Sequence, residues 1–340
     1  MKICIDMRPA LSMATGVGTY LLNLTRALSR IDSQNEYHLF SSSWKERFKM
    51  IYGPNFVIHD WRVPVRSLNY SWHRFSWPPI ETLLRSAVDV AHSPTPLLIP
   101  SKHAHRVNMV HDLYFYFHPE HTIREMQRDY PALLAKHCKE SDAIISVSDY
   151  TKEQLVEHLK VPASKVYTIR HGADPFYEIP ATQEELDGAR KKFGLQRPYF
   201  LFVGALEPRK NIPLLLDAFS KLKEDVNLVL AGPDGWGFDW SSIAHERAIR
   251  THYVAKEELR ALYQQGVALV LPSVEEGFGL PLLEAMSAGL PIIASNIPVF
   301  REVCSDAFLS FQSNSVEELT SVLARCYSDA ELRKDLAARG

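Results

Sequence analysis

No stretch of this 340-residue chain approaches the ~20 consecutive apolar residues that a helix needs to cross a bilayer. The opening residues, Met1-Lys-Ile-Cys-Ile-Asp-Met7, read directly as a strand and hold no apolar signal-peptide core. Cysteine is scarce. Cys4, Cys138, Cys304 and Cys326 are the only four, and no two stand at Cys-x-x-Cys spacing. That disfavours a disulfide framework or a metal knuckle and leaves buried free thiols in a reducing compartment as the expectation. An excess of one charge is missing too. Lys and Arg number 38 against 40 Asp and Glu, a net of −2, which excludes a general nucleic-acid binder. There is no Asp-x-Asp pair, so no metal site and no metal cofactor are expected. A complete Gly-x-Gly-x-x-Gly is also absent, which argues against a dinucleotide-dependent oxidoreductase. These absences describe a cytoplasmic protein, at most peripheral at the inner face of the plasma membrane.

The chain is long for one core and comfortable for two, and 46% of its residues are hydrophobic. Short apolar runs alternate with helical patterns, the signature of parallel α/β architecture. In the first half, strands are expected at 3–7, 37–41, 56–60, 88–92, 106–111, 143–146 and 166–170. Helices are expected at 19–29, roughly 72–85, 124–139 and 151–159. Residues 173–197 hold Pro175, Pro180 and a charged helical pattern, and read as a linker. The rhythm restarts with strands at 199–203, 227–231, 250–254, 268–272, 292–295 and 308–311. Helices between them are expected at 212–222, 256–265, 281–288 and 316–327. The reading is therefore two doubly wound, Rossmann-like domains, 1–172 and 198–340. Parallel sheets of this kind bind ligands beyond the carboxyl ends of their strands, so the site is expected in the cleft between the domains.

Charge and histidine are unevenly spread. Residues 1–170 carry 21 Lys and Arg against 16 Asp and Glu, and 12 of the 14 His lie at or before His171. A mildly basic, aromatic first half suits an anionic acceptor or an anionic membrane surface. Ordinary surface variation is the plain alternative.

Four segments carry chemistry. The first is Pro272-Ser-Val-Glu-Glu-Gly-Phe-Gly-Leu-Pro-Leu-Leu-Glu284-Ala-Met-Ser-Ala-Gly289. A strand ends at Pro272, a glycine loop carries Glu276, and a helix opens at Pro281 and carries Glu284. Free N–H groups at such a helix start can hold an anion or a sugar hydroxyl. Either Glu alone reads as a cap or a surface charge; the whole constellation does not. The second is Val203-Gly204-Ala-Leu-Glu-Pro-Arg209-Lys210-Asn211, with two cations at a strand's carboxyl end, chemistry suited to a diphosphate. The third is Thr15-Gly16-Val17-Gly18-Thr19-Tyr20, a glycine turn from strand to helix. The fourth is Val110-His111-Asp112-Leu113 at a strand end. Alone, His111 reads as a packed core histidine as readily as a catalyst. Ser148 in Ser146-Val-Ser-Asp reads as a helix N-cap.

Taken together, these segments resemble the signature of glycosyltransferase family 4, along the whole chain. The resemblance implies the GT-B fold and a retaining, metal-independent glycosyltransferase that uses a nucleotide-diphosphate sugar as substrate. It implies that Glu276 bonds hydroxyls of the donor sugar and Glu284 the ribose. The N–H groups of Phe278 and Gly279, with Leu280, would help hold sugar and diphosphate. Arg209 and Lys210, beside Gly204, would neutralise the leaving diphosphate. The loop Gly16, Val17 and Gly18 would close on the phosphates, and His111 would lie near the reaction centre. Tyr253 and Val254 end the strand that would cradle the base, although His252 stands where the family has Gly. His171 also departs from the family's pattern. The resemblance is nearest to bacterial mannosyltransferase-like enzymes of surface-polysaccharide assembly, so the acceptor is expected to be a glycan, lipid-linked in one version. The family usually continues with a helix crossing back onto the first domain, and the sequence given stops at Gly340, where that helix would begin. A donor-binding partner subunit with little activity is the alternative reading, and a sugar-nucleotide epimerase of the same fold a third.

Overall fold

A computed structural model describes residues 1–11, 16–48, 50, 52–122, 124–235 and 245–340, without the side chains of 124–126, 128 and 129. It divides into two units, Met1–His171 and Gly172–Gly340. In the first unit, β1 Lys2–Asp6, β2 Glu36–Ser42, β3 Phe56–Trp61, β4 Val90–Ser93, β5 His105–Val110, β6 Ala143–Ser146 and β7 Val166–Thr168 form one sheet. Their order is β3-β2-β1-β4-β5-β6-β7, and every pairing is parallel. In the second unit, β8 Tyr199–Val203, β9 Asn227–Ala231, β10 Ala248–His252, β11 Ala268–Leu271, β12 Ile292–Ser295 and β13 Leu309–Phe311 run β10-β9-β8-β11-β12-β13, again all parallel. Each unit steps outward over three strands and then restarts on the other side of its first strand. The reversal falls between β1 and β4, and between β8 and β11. Doubly wound sheets receive ligands at that point, outside the carboxyl ends of the strands.

Continuous apolar strands are what sheets covered on both faces require. Every residue of β8, β9, β11 and β12 is buried. Phe200, Leu201, Phe202, Leu228, Val229 and Leu230 are fully inaccessible. The four cysteine thiols are all free and buried, as their apolar settings suggest. No described helix is long and apolar enough to cross a membrane.

The expected helix over 72–85 is two helices, Val65–Phe75 and Ile80–Leu84. Pro78 and Pro79 fall between them. Proline lacks the N–H that continues a helix, and it pushes the residue before it out of helical backbone. Leu68 and Trp72 face the core from the first of the two helices. Sequence reading also passed over the short helices Tyr114–Phe117 and Pro298–Cys304 and the terminal helix Ala330–Arg339. Ser148 does cap a helix, its side chain accepting from the Thr151 N–H at 3.1 Å.

Residues 173–197 pack into the second unit. The helix Gln183–Phe193 is closed by a capping box of Thr182 and Glu185 and ended by Gly194 in left-handed backbone. Gln264 donates to the Ile179 carbonyl at 2.9 Å, Arg190 to Gln265 at 2.6 Å, and Arg260 to Glu185 at 2.6 Å.

The carboxyl ends of β8 and β9 approach so closely that a Cβ on Gly232 would lie 2.3 Å from the Gly204 carbonyl oxygen. Gly232 also has φ +138, a conformation that side chains resist. By contrast, a Cβ on Gly188, inside the helix Gln183–Phe193, would meet nothing within 4 Å. Gly232→Ala should therefore cost roughly 2–4 kcal/mol, from backbone strain and overpacking together. Gly188→Ala should stabilise by up to about 1 kcal/mol. Urea unfolding of both variants checks the pair; equal midpoints would refute the close-approach argument.

Candidate active site

In the second unit, the loops after β8 and β11 carry the candidate residues on either side of the sheet reversal. After β8, Pro208 opens a single turn, Pro208–Lys210, that Asn211 ends at φ 52. That turn sets Arg209 and Lys210 side by side. After β11, the loop reaches Gly279, whose φ of +100 turns the chain into the helix Leu280–Ser287. A Cβ on Gly279 would sit 2.8 Å from Leu282 Cδ1 and 3.1 Å from Phe300, so the backbone there is glycine-specific for space as well as conformation. Pro281 takes the first turn, where a missing N–H costs little. A backbone bond, Val274 N–H to Arg209 carbonyl at 2.8 Å, joins the two loops.

The result is a buried charge cluster. Glu276, 5% exposed, pairs through one oxygen with Arg209 and through the other with Lys210. Ser273 donates to the Lys210-facing oxygen at 2.8 Å, and Glu207 accepts from Arg209 Nε at 2.8 Å. Burial alone would raise the Glu276 carboxyl. The neighbouring Arg209 and Lys210 charges outweigh it and hold the group down to about 2. Burial, then Arg209, push the Lys210 ammonium down, and Glu276 opposes them. The two cations thus keep Glu276 ionised, and Glu276 favours the charged form of Lys210.

Glu284 has a different environment. Tyr263 donates to it at 2.7 Å, and Tyr177 hydrogen-bonds it too. The rings of Tyr177 and Tyr263 meet edge-on at 5.4 Å. Lys256 pairs with Asp174 at 2.6 Å nearby. Burial raises the Glu284 carboxyl to about 7, against the two tyrosine bonds. Phe278 is buried, Leu280 half-buried and Val254 buried, while Tyr253 is 58% exposed. His252 holds φ 57, a left-handed conformation that explains why a glycine suits this position. Gly204 ends β8 at φ +149, its N–H bonded to the Ala231 carbonyl at 2.9 Å.

In the first unit, the carboxyl edge carries neutral imidazoles. His111 follows β5, and its Nε2 lies 2.9 Å from the Pro94 carbonyl. A carbonyl only accepts, so Nε2 carries the proton and Nδ1 is the unprotonated nitrogen. Burial pushes His111 below its ordinary value, His92 to about 4 and His171 to about 3, with His111 adding to both. His171 stacks on His111 at 5.8 Å, and Tyr20 meets both rings, at 5.8 and 4.9 Å. Tyr20 belongs to the helix Gly16–Ile31, so it ties that helix to His111. Of the glycine loop, Gly16 is exposed, Val17 half-buried and Gly18 buried at the start of the helix; Thr15 lies outside the described residues.

Sequence reading missed Ser273, Tyr263, Tyr177, Asp174 and Lys256 in the second unit, and His92, Asp6 and Arg8 in the first. Asp6 ends β1 nearly inaccessible and pairs with Arg8 at 2.6 Å; Arg8 also lies 4.3 Å over the Trp72 ring. A serine directly after a strand's closing proline, and a tyrosine on the apolar face of the helix Lys256–Gln265, were the available signals.

Residues 14–175 match the family model described as Glycosyltransferase Family 4, and residues 184–340 the one described as Glycosyl transferases group 1. The O-antigen chain mannosyltransferase B of Escherichia coli is 28% identical, over 100% of this chain and 94% of that protein. Among solved structures, the sucrose-phosphate synthase of Thermosynechococcus elongatus matches with a TM-score of 0.79 at 17% identity, covering 100% of this chain and 92% of that one. HepE of Anabaena, solved in complex with UDP and glucose, matches at 0.71 and 15% identity, covering 100% and 93%. With the two parallel sheets, these likenesses establish the GT-B fold.

The raised Glu284 carboxyl makes stability depend on pH. Folded, it titrates at about 7; unfolded, near the ordinary 4.5. Between those values only the folded chain holds this proton, so the carboxyl's own contribution is greatest at the acidic end and falls as pH rises through the window. The slope is roughly 1 kcal/mol per pH unit. Buried His92, His137 and His171, pushed down from 6.5, contribute the opposite slope below that value, so Glu284→Gln should make the measured slope more positive by that amount in urea unfolding between about pH 5 and 8. An unchanged slope would place the proton on another group.

Proposed function

The chain belongs to the family 4 glycosyltransferases, and we propose that it moves a hexose of mannose or glucose type, with retention, from a nucleotide-diphosphate sugar to a glycan acceptor. The observation that carries this reading is the Arg209–Glu276–Lys210 cluster at the sheet reversal of the second unit. Two cations, Lys210 buried and Arg209 half-buried, meet the charge that develops on a leaving diphosphate, and a carboxylate between them can exchange cation contacts for sugar hydroxyls. Glu276 takes the donor sugar, Glu284 the ribose. Retention rests on the family resemblance: no carboxylate among the described residues is assigned as a nucleophile, and a phosphate oxygen of the leaving group accepts the acceptor's proton. His111, neutral with Nδ1 unprotonated, is assigned to the reaction centre as a hydrogen-bonding group. The cations supply the counter-charge that a metal would otherwise bring, so the transfer step is metal-independent. The mannosyl preference is supported by the E. coli relative, and a nucleotide donor by HepE's UDP.

Arg209→Ala and Lys210→Ala should each lose on the order of 2–4 kcal/mol of transition-state stabilisation. Both act on one diphosphate, so the double variant should lose less than the sum. Glu276→Gln should cut transfer strongly while nucleoside-diphosphate affinity holds or rises, because the two cations lose their competitor. Glu284→Ala should weaken the nucleotide itself. Magnesium or manganese added after EDTA should leave the rate unchanged. Calorimetry with UDP and GDP, alongside transfer assays, decides. Unchanged nucleotide affinity in Glu284→Ala refutes the ribose assignment, and a chain that never hydrolyses donor is a binding subunit rather than a transferase.

The acceptor reading extends to a lipid-linked glycan and peripheral contact with anionic membrane. The helix Val65–Phe75 supports it. Leu68 and Trp72 face inward, whereas Arg66, Tyr70 and Arg74 share the outer face and are exposed. Phe75 and Trp77, each 65% exposed, follow at the helix's end, and exposed Arg62 precedes its start. Cations attract anionic headgroups at about 1 kcal/mol each, and aromatic rings settle at the interface. The protein should co-sediment with anionic liposomes at low salt and detach at high salt. Tyr70→Ser with Trp77→Ser should weaken that binding. Efficient transfer to a soluble acceptor without liposome binding would overturn it.

A further inference from the structure

The turn that follows the helix Tyr114–Phe117 gathers metal-ligand chemistry that the transfer reaction does not use. Pro119 opens the turn Pro119–His121, and backbone bonds fix it: His118 N–H to the Tyr114 carbonyl at 2.8 Å, His121 N–H to the His118 carbonyl at 3.0 Å, and Thr122 N–H to the Pro119 carbonyl at 3.0 Å. His118, Glu120 and His121 each turn one ligand atom inward, and the three atoms lie within 4.8 Å of one another. Glu120 Oε1 stands 3.4 Å from His118 Nδ1 and 3.9 Å from His121 Nε2. Ligand atoms on a tetrahedral zinc ion, at about 2.0–2.1 Å from it, stand about 3.3–3.4 Å apart. Of the three edges, one already has that length, a second closes by about half an ångström, and the third, between the two histidines, lies within 4.8 Å.

Two further features separate this group from a chance ion pair. His121 Nδ1 lies 2.7 Å from the Tyr114 hydroxyl, and Tyr114 is buried. A bond at the far nitrogen fixes ring orientation and leaves Nε2 to ligate, as metal-bound histidines commonly require. In addition, the two imidazoles are stacked, with centroids 5.6 Å apart and 14° between planes. Both rings face one carboxylate, and a single divalent ion would satisfy all three groups with both rings neutral.

We propose that His118, Glu120 and His121 bind a divalent transition ion, zinc by the nitrogen and oxygen ligand set, with Tyr114 as the positioning residue and no fourth protein ligand among the described residues. The ion staples the segment that begins at Asp112, which itself accepts from the Tyr114 N–H at 3.2 Å. All these residues lie in the first unit, on the segment that follows His111, and the effect assigned to the ion is on stability.

The full chain, stripped with chelator and dialysed, is titrated with zinc against a chromophoric competitor, and with cobalt to read the visible absorption of a tetrahedral site. One equivalent should bind and raise the thermal midpoint. His118→Ala with His121→Ala should weaken zinc affinity at least 100-fold, and Tyr114→Phe about 10-fold. Glu120→Gln tests an exposed position whose change leaves the fold intact; it should weaken zinc and leave transfer at assay temperature unchanged. The proposal is overturned if the native chain binds no equivalent of zinc. It is equally overturned if the double variant and Glu120→Gln both bind zinc as the native chain does, since the ion then sits elsewhere among the fourteen histidines.

Discussion

Glu276 is held between Arg209 and Lys210 where water scarcely reaches, at 5% exposure for the carboxylate residue and 7% for the lysine. Each of these charges alone would cost several kcal/mol to desolvate. Together, with Glu207 on the far side of Arg209 and the Ser273 hydroxyl on Glu276, they form a nearly neutral set. That compensation lets the carboxyl ends of β8 and β11 carry cations inside a protein core. It also sets the terms for any anionic ligand. A diphosphate that takes the two cations must displace Glu276 from them, and the freed carboxylate then needs donors. Sugar hydroxyls are donors. The chemistry of the donor is thus matched group for group by the exchange that its binding would force.

The two units share a topology and differ in the chemistry they place on it. The second unit's carboxyl edge bears paired ions. The first unit's bears His92, His111 and His171, all pushed by burial toward the neutral form. A neutral imidazole with one nitrogen committed to a carbonyl is a hydrogen-bonding group, not a counter-ion. The aromatic contacts among Tyr20, His111 and His171 fix its plane. Apolar burial therefore does for the first edge what ion pairing does for the second: it sets the protonation state before any substrate arrives.

Much of this was legible in the residues. The strands Ala143–Ser146, Tyr199–Val203, Asn227–Ala231 and Ile292–Ser295 and the helix Lys256–Gln265 appear with the bounds their apolar periodicity predicts. The three strands of the second unit among them are buried on both faces and have few alternatives. The segment over 72–85 failed because periodicity was followed through Pro78 and Pro79, where backbone chemistry overrides it. The candidate site was legible as residue types and not as partnerships. Nothing local ties Glu276 to Arg209, nearly seventy positions earlier, and Ser273 has no signature beyond its place after Pro272. Tyr263 reads as one more core aromatic. Its hydroxyl matters only because the sheet brings the helix Lys256–Gln265 against the helix that bears Glu284. Long-range pairing is what the order of strands encodes, and sequence reading reached the class of that order without the contacts it creates.

Glu276 and Glu284 show why residue identity alone cannot assign a role. They share one loop–helix segment and one functional group, yet the first is held down to about 2 and the second pushed up to about 7. Glu276 is buried and Glu284 half-buried, and burial pushes both carboxyls upward, so it does not separate them. The difference is the sign of what stands nearby. Glu276 faces two cations. Glu284 faces two neutral phenols, with Asp174 raising it and Lys256 lowering it from farther off. A carboxylate that is always ionised suits a partner that alternates between cations and hydroxyls during a transfer. A carboxyl poised near neutrality changes its hydrogen-bonding capacity when a ligand's hydroxyls replace water around it, because donors favour the ionised form. Ligand binding at Glu284 should therefore release a proton, whereas binding at Glu276 should not.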